Sequence, residues 1–97
     1  MPQPGNLVAV IVTFNRLEKL KETIARTLDN PFYRVVVVNN ASTDDTRNWL
    51  DSLSDPRLEN LHNKTNLGGA GGFNRGLAHV AKELPGADWL VCFDDDA

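Results

Sequence analysis

The chain predicts an α/β fold, a mostly parallel sheet with helices on both faces. Three observations predict it: two unbroken β-branched runs, apolar residues at helical spacing between the runs, and polar or glycine-rich segments following them. The first run, Leu7-Val8-Ala9-Val10-Ile11-Val12, lacks polar alternation, the pattern of a strand covered on both faces in a parallel sheet. After it, Leu17, Leu20, Ile24 and Leu28 recur at helical spacing up to Asn30-Pro31, and Asn15 with Glu18 has the spacing of a capping box. The second run, Val35-Val36-Val37-Val38, leads into the polar segment Asn39-Asn40-Ala41-Ser42-Thr43. A helix carrying Trp49, Leu50 and Leu53 follows, with Asp44 and Asp45 suited to its first turn. A weaker third strand over residues 58–61 precedes Asn63-Lys64-Thr65-Asn66 and a glycine-rich loop over residues 67–72. Phe73, Leu77, Val80 and Leu84 then mark one face of a helix that Pro85-Gly86 ends. The last strand, Trp89-Leu90-Val91-Cys92-Phe93, delivers Asp94-Asp95-Asp96. Parallel strands joined through helices imply right-handed crossovers.

Composition narrows the function classes. With 97 residues, 41% hydrophobic, 24% charged and a net charge of −3, the chain reads as one globular unit. Its Lys and Arg are scattered, so no phosphate-backbone footprint is present and nucleic acid is excluded as the expected partner. No run approaches the roughly 20 apolar residues that cross a bilayer, and residues 1–6 carry no cationic, apolar leader. A cytoplasmic chain is expected, at the inner face of the membrane in a full-length protein. Cys92, inside an apolar stretch, reads as a buried reduced thiol. His62 and His79 have no Cys or His near them in sequence and read as satisfied or surface histidines, not metal ligands.

The unusual residues fall after the predicted strands, at positions 13–16, 39–45, 63–72 and 94–96. In open α/β sheets the carboxyl ends of the strands form the ligand edge, so four segments converge on one crevice. Side chains alternate along an extended backbone, which puts Asp94 and Asp96 on the same side. Two such carboxylates repel each other unless a cation lies between them, and hard oxygen ligands suit Mg2+ or Mn2+ with room left for waters and substrate phosphates. The alternative is a solvated acidic turn. Asn40 carries both donors and an acceptor for a nucleobase edge, while Ser42 or Thr43 could simply cap the next helix. Gly68-Gly69-Ala70-Gly71-Gly72 permits close backbone approach to a ligand or an ordinary flexible turn. It does not match Gly-x-Gly-x-x-Gly, because Asn74 stands at the last glycine, and Gly71 to Gly76 is followed by Leu77, not the lysine of a P-loop.

In this order, Val12-Thr13-Phe14-Asn15, Val38-Asn39-Asn40-Ala41-Ser42-Thr43-Asp44, Asn66-Leu67-Gly68 with Asn74-Arg75-Gly76, and the Asp-x-Asp-type Asp94-Asp95-Asp96 resemble the N-terminal half of family 2 glycosyltransferases. These are inverting enzymes of the GT-A fold, whose N-terminal half is Rossmann-like. The resemblance spans nearly the whole chain. It implies that Thr13, Phe14 and Asn40 line a nucleoside pocket, that Gly68 and Gly69 pass close to the nucleotide, and that Asp94 and Asp96 hold a divalent metal, Mn2+ or Mg2+, on the diphosphate. The family more often has Asp at the place of Asn40, which leaves uracil or thymine open as the base. The glycine string resembles rhamnosyl- and galactofuranosyl-transferases, implying a dTDP-rhamnose or UDP-galactofuranose donor and a glycan acceptor in cell-wall polysaccharide biosynthesis. The catalytic base belongs to the family's later acceptor half, and residues 1–97 contain no candidate for it. The chain thus reads as a donor-binding subdomain, truncated at the aspartate triplet and inactive alone. Such a cut exposes a strand edge or an apolar face and favours self-association. Two other classes compete: a non-catalytic nucleotide- or metal-binding module, and a structural domain for which the clustering of polar loops is coincidence.

Overall fold

The two valine-rich runs become the inner strands of a four-stranded sheet. The computed structural model describes residues 5–95. Its elements are β1 (Leu7–Thr13), α1 (Leu17–Leu28), β2 (Arg34–Asn39), α2 (Thr46–Ser52), β3 (Leu58–His62), α3 (Gly68–Glu83) and β4 (Trp89–Asp94). The strand order is β3-β2-β1-β4, and every neighbouring pair is parallel. The register sets Val10 beside Val36 and Thr13 beside Asn39, so β1 and β2 end together.

Continuous apolar sequence is what inner parallel strands need, because both of their faces are covered. Val8, Val10, Val12, Val36 and Val38 pack under Val80 of α3 and Leu84 at its C-terminal end. Ala9, Ile11, Val35 and Val37 face the other way, onto Leu20 and Ile24 of α1 and Leu50 of α2. Helices therefore cover both faces, as the sequence predicts.

Three expectations change. Asn15 does not cap α1: Arg16 stands at the N-cap and makes no capping hydrogen bond with its side chain, and Asn15 adopts φ 50°. That left-handed backbone turns its side chain to the neighbouring loop, where Oδ1 accepts from the N–H groups of Thr43 (2.7 Å) and Asp44 (3.2 Å). The glycine stretch is not a loop but the opening of α3, which starts at Gly68. Its buried stripe is Gly72, Gly76, Val80 and Leu84, a four-residue spacing that lays the helix directly on the sheet. A Cβ at Gly72 would stand 2.7 Å from Val12 Cγ1. Finally, Cys92 is exposed and not buried, because β4 is an edge strand. Partial burial of the sulfur still pushes its thiol above the ordinary value, which keeps it protonated at neutral pH. The outer strand also exposes Trp89 (67%), Leu90 and Val91, the apolar edge expected from the sequence. Among the described residues, no helix is long and apolar enough to cross a membrane.

Candidate functional site

The strand order has one place where connections part. α1 carries the chain from β1 toward β2 over one face, whereas α3 returns it over the other face to β4, on the far side of β1. The carboxyl ends of β1 and β4 thus flank a topological switch point, where open α/β sheets bind ligands. A cleft of about 260 Å3 lies there, lined by Val12, Phe14, Arg16, Asp94 and Asp95. A larger groove of about 410 Å3 runs between α1 and β4, but Leu7, Phe32 and Phe93 among its lining residues make it mostly apolar. Of the site residues expected from the sequence, Phe14 and Asp94 line the smaller cleft, whereas Thr13, Asn40, Gly68 and Gly69 are not part of its lining.

Phe14 and Asp94 both present exposed side chains to this cleft, an aromatic face and a carboxylate. Thr13 sits behind them. It is buried, donates its hydroxyl to Asp95 Oδ2 (2.8 Å), and accepts the Asn40 N–H on its carbonyl (2.9 Å). Asn40 is buried as well, with its amide committed to the chain. Nδ2 donates to the Gly68 carbonyl (2.9 Å), and Oδ1 accepts from Leu67 N–H (2.9 Å) and Asn63 Nδ2 (3.1 Å). An unbroken set of hydrogen bonds therefore runs from Asp95 through Thr13 and Asn40 to Gly68. Gly68 takes φ 74°, which its missing side chain permits, and neither Gly68 nor Gly69 has any atom within 4 Å of where a Cβ would stand. Both lie open at the start of α3. Asp96 lies outside the described residues.

The sequence reading did not assign roles to Asp95, Arg16 or the Asn15 clamp. Ser42 and Thr43 do not cap α2, whose N-cap is Asp45; Ser42 Oγ instead accepts the Asn15 N–H (3.0 Å). Asn15 and residues 42–44 thus bind each other reciprocally and hold the loops after β1 and β2 together. The only signal for this was a polar residue after each strand, since the pairing spans 27–29 residues.

The histidines lie apart and each has a carboxylate partner. His79 Nε2 meets Glu59 Oε1 at 2.8 Å. Asn39 Nδ2 donates to His62 Nδ1 (3.1 Å), which leaves the His62 proton on Nε2 to bond Asp51 Oδ1 (2.8 Å). That bond, aided by the charge of Arg47, holds the Asp51 carboxyl below its ordinary 3.8. The folded chain binds this proton less readily than the unfolded one, so the pair stabilises fully above about pH 5 and the contribution fades as pH falls through the folded pKa. Asp51 is half exposed, which keeps the effect small. Asp51→Asn is expected to lower Tm slightly near pH 7 and by progressively less as the pH falls below 3.8; an equal loss throughout would contradict this.

A divalent cation fits the donor set of the cleft. Mg2+ or Mn2+ needs only one or two carboxylates when waters and phosphates complete the shell, and Asp94 offers one exposed carboxylate at the strand end. Among the described residues, no three metal-ligating side chains cluster, so a complete protein cage is absent there.

Comparison with known proteins gives the family and the fold. The chain is 38% identical to the undecaprenyl-phosphate mannosyltransferase of Micrococcus luteus over 93% of this chain and 37% of that protein. It is 34% identical to the galactofuranosyltransferase GlfT1 of Mycolicibacterium smegmatis, over 91% of this chain and 29% of that protein. Its fold is similar to that of the mannosyltransferase PcManGT from Pyrobaculum calidifontis, solved in complex with GDP-Man and Mn2+. The TM-score is 0.74 and the identity 26%, over 95% of this chain and 28% of that one. The chain thus spans about a third of the length of these relatives. The sequence model of glycosyl transferase family 2 matches residues 8–97, and the chain belongs to that family.

Proposed function

We propose that the chain is the donor- and metal-binding part of an inverting glycosyltransferase. In that reaction a sugar passes from a nucleoside diphosphate to a glycan acceptor hydroxyl. The observation that carries this reading is the meeting of Phe14 and Asp94 in the switch-point cleft, with Thr13, Asn40 and Gly68 linked by hydrogen bonds beside it. Phe14 offers a face on which a base stacks. Thr13 and Asn40 build the wall of the nucleoside pocket, and open Gly68 and Gly69 let the nucleotide approach the backbone. Asp94, with Asp96, supplies carboxylates for Mn2+ or Mg2+. Held there, a divalent cation would supply positive charge to offset the negative charge of the diphosphate leaving group. The acceptor oxygen attacks from the opposite face while a general base takes its proton. Alone, the chain is expected to bind donor nucleotide at best weakly and to transfer nothing.

The galactofuranosyl relatives support a UDP-linked donor, and the GDP-Man complex of the structural neighbour favours a GDP-linked one. The undecaprenyl-phosphate relative brings the membrane face into the reading, because its named acceptor is a lipid phosphate. Isothermal titration of UDP, dTDP and GDP, each with and without Mn2+, tests the proposal and selects the base. Metal-dependent binding of one of the three is the expected result; no binding of any by a folded chain would sink it. Gly69→Ala gives a sharper version. In an uncrowded helix this change stabilises by about 0.5–1 kcal/mol, yet its methyl intrudes where the nucleotide passes. Higher stability with weaker binding is expected, and unchanged binding would remove Gly69 from the site. The exposed face of β4 also supports self-association of the chain, which sedimentation of the same samples reads.

A further inference from the structure

Both described aspartates at the end of β4 border the cleft, Asp94 with an exposed side chain and Asp95 with a buried one. The β1–β4 ladder ends with Val12 beside Asp94, so Asp95 lies one residue beyond the last backbone pairing. Side-chain hydrogen bonds direct the chain from there. Asp95 is 5% exposed; its Oδ2 accepts from Thr13 Oγ1 (2.8 Å) and its carbonyl accepts from Thr23 Oγ1 (2.5 Å). Both threonines are buried. Thr13 is the last residue of β1, its carbonyl tied to Asn40, and Thr23 lies on α1, its carbonyl accepting from Thr27 Oγ1 (2.7 Å). Asp95 is thus clasped from a strand and a helix, by an O–H···O− bond and an O–H···O=C bond.

Asp95 follows Asp94 directly where β4 gives way to a turn, so holding Asp95 by its side chain and its carbonyl limits the directions open to Asp94. We propose that Asp95 is a positioning residue which, through Thr13 and Thr23, sets the direction in which Asp94 meets a divalent cation. The proposal rests on the reading of Asp94 as a metal ligand. It assigns the middle aspartate to the protein side of the site, touching neither metal nor substrate. Outer groups that orient a metal ligand typically change metal affinity by about 10- to 100-fold when removed. Thr23 is the informative partner. It borders the groove beneath α1 and is absent from the cleft lining, so it can act on Asp94 only through Asp95.

The test titrates Mn2+ into the protein in the presence of UDP, reading free Mn2+ by electron paramagnetic resonance at a temperature where every variant is folded by circular dichroism. Asp94→Ala is the reference. Thr23→Val and Asp95→Ala are each expected to weaken Mn2+ binding about tenfold. Asp95→Asn keeps an acceptor oxygen for Thr13 and is expected to restore most of the affinity. If Asp95→Asn falls as far as Asp94→Ala while Thr23→Val binds normally, Asp95 is itself a ligand and the proposal is overturned. It is also overturned if Thr23→Val and Asp95→Ala lower only Tm, leaving the affinity of the folded protein unchanged. Loss with Asp94→Ala alone therefore defeats the positioning role and spares the donor-site reading. Normal binding by Asp94→Ala defeats both.

Discussion

Gly76→Val should destabilise the chain by about 3 kcal/mol, the upper part of the range for overpacking a filled core. Gly76 lies in the middle of α3, where a Cβ would run into Val10 Cγ1 and stand 3.2 Å from Val38 Cγ2. Val10 and Val38 are fully buried on the two inner strands, and β-branched side chains have few rotamers into which to retreat. The helix must therefore lift off the sheet, loosening Val80 and Leu84 further along the same stripe. Against this, replacing a helical glycine gains at most about 1 kcal/mol in propensity. Domains as small as this one are marginal, so a loss of this size removes much of the folded population. Urea unfolding followed by circular dichroism reads it as a lower midpoint. Gly76→Ala combined with Val10→Ala should recover part of the loss, because the two changes share one collision. A midpoint unchanged by Gly76→Val would mean that α3 does not lie against β1 as closely as the structure places it.

The same contact explains what the sequence could and could not disclose. β1 and β2 were legible because an inner parallel strand is apolar on both sides, and a run such as Val35-Val36-Val37-Val38 has few other uses. The onset of α3 was not. Glycine is an ordinary breaker in local sequence, and only the sheet beneath Gly72 and Gly76 makes its absence of side chain an asset there. Asn15 shows the same limit. Its spacing to Glu18 is that of a cap, but the unpaired N–H groups that claim it belong to a loop 28 and 29 residues away. Within the site, the carboxyl-edge placement of Thr13, Phe14, Asn40, Gly68 and Asp94 followed from strand order and motif. The division between side chains that face the cleft and those that brace it did not. Asn40 and Asp95 have the chemistry to touch a ligand, and their burial turns that chemistry inward to Gly68 and Thr13. Cys92 went wrong for a related reason, since an apolar strand reports that it suits covering, while its place at the sheet edge decides how much covering it has.

Asp94→Ala should cost on the order of 100-fold in Mn2+-dependent nucleotide affinity, about 2.7 kcal/mol, while leaving stability within about 0.5 kcal/mol. The two expectations are separable because Asp94 is exposed in the cleft and its neighbour Asp95 carries the buried contacts. Mn2+ and Mg2+ sites of this kind use one or two carboxylates, so removing one takes away half or more of the protein's share of the coordination shell. Asp94→Asn retains an oxygen but not the charge and should fall between the two. Affinity measured without metal is the decisive control. An exposed carboxylate beside a diphosphate is repulsive when no cation is bound, so Asp94→Ala should leave metal-free binding equal or slightly improved. The variant would then reverse the effect of Mn2+ without altering the fold, a signature that a solvated acidic turn cannot produce. Equal Mn2+-dependent affinity in the native chain and Asp94→Ala would instead place the metal elsewhere and leave Phe14 as the cleft's remaining claim on the nucleotide.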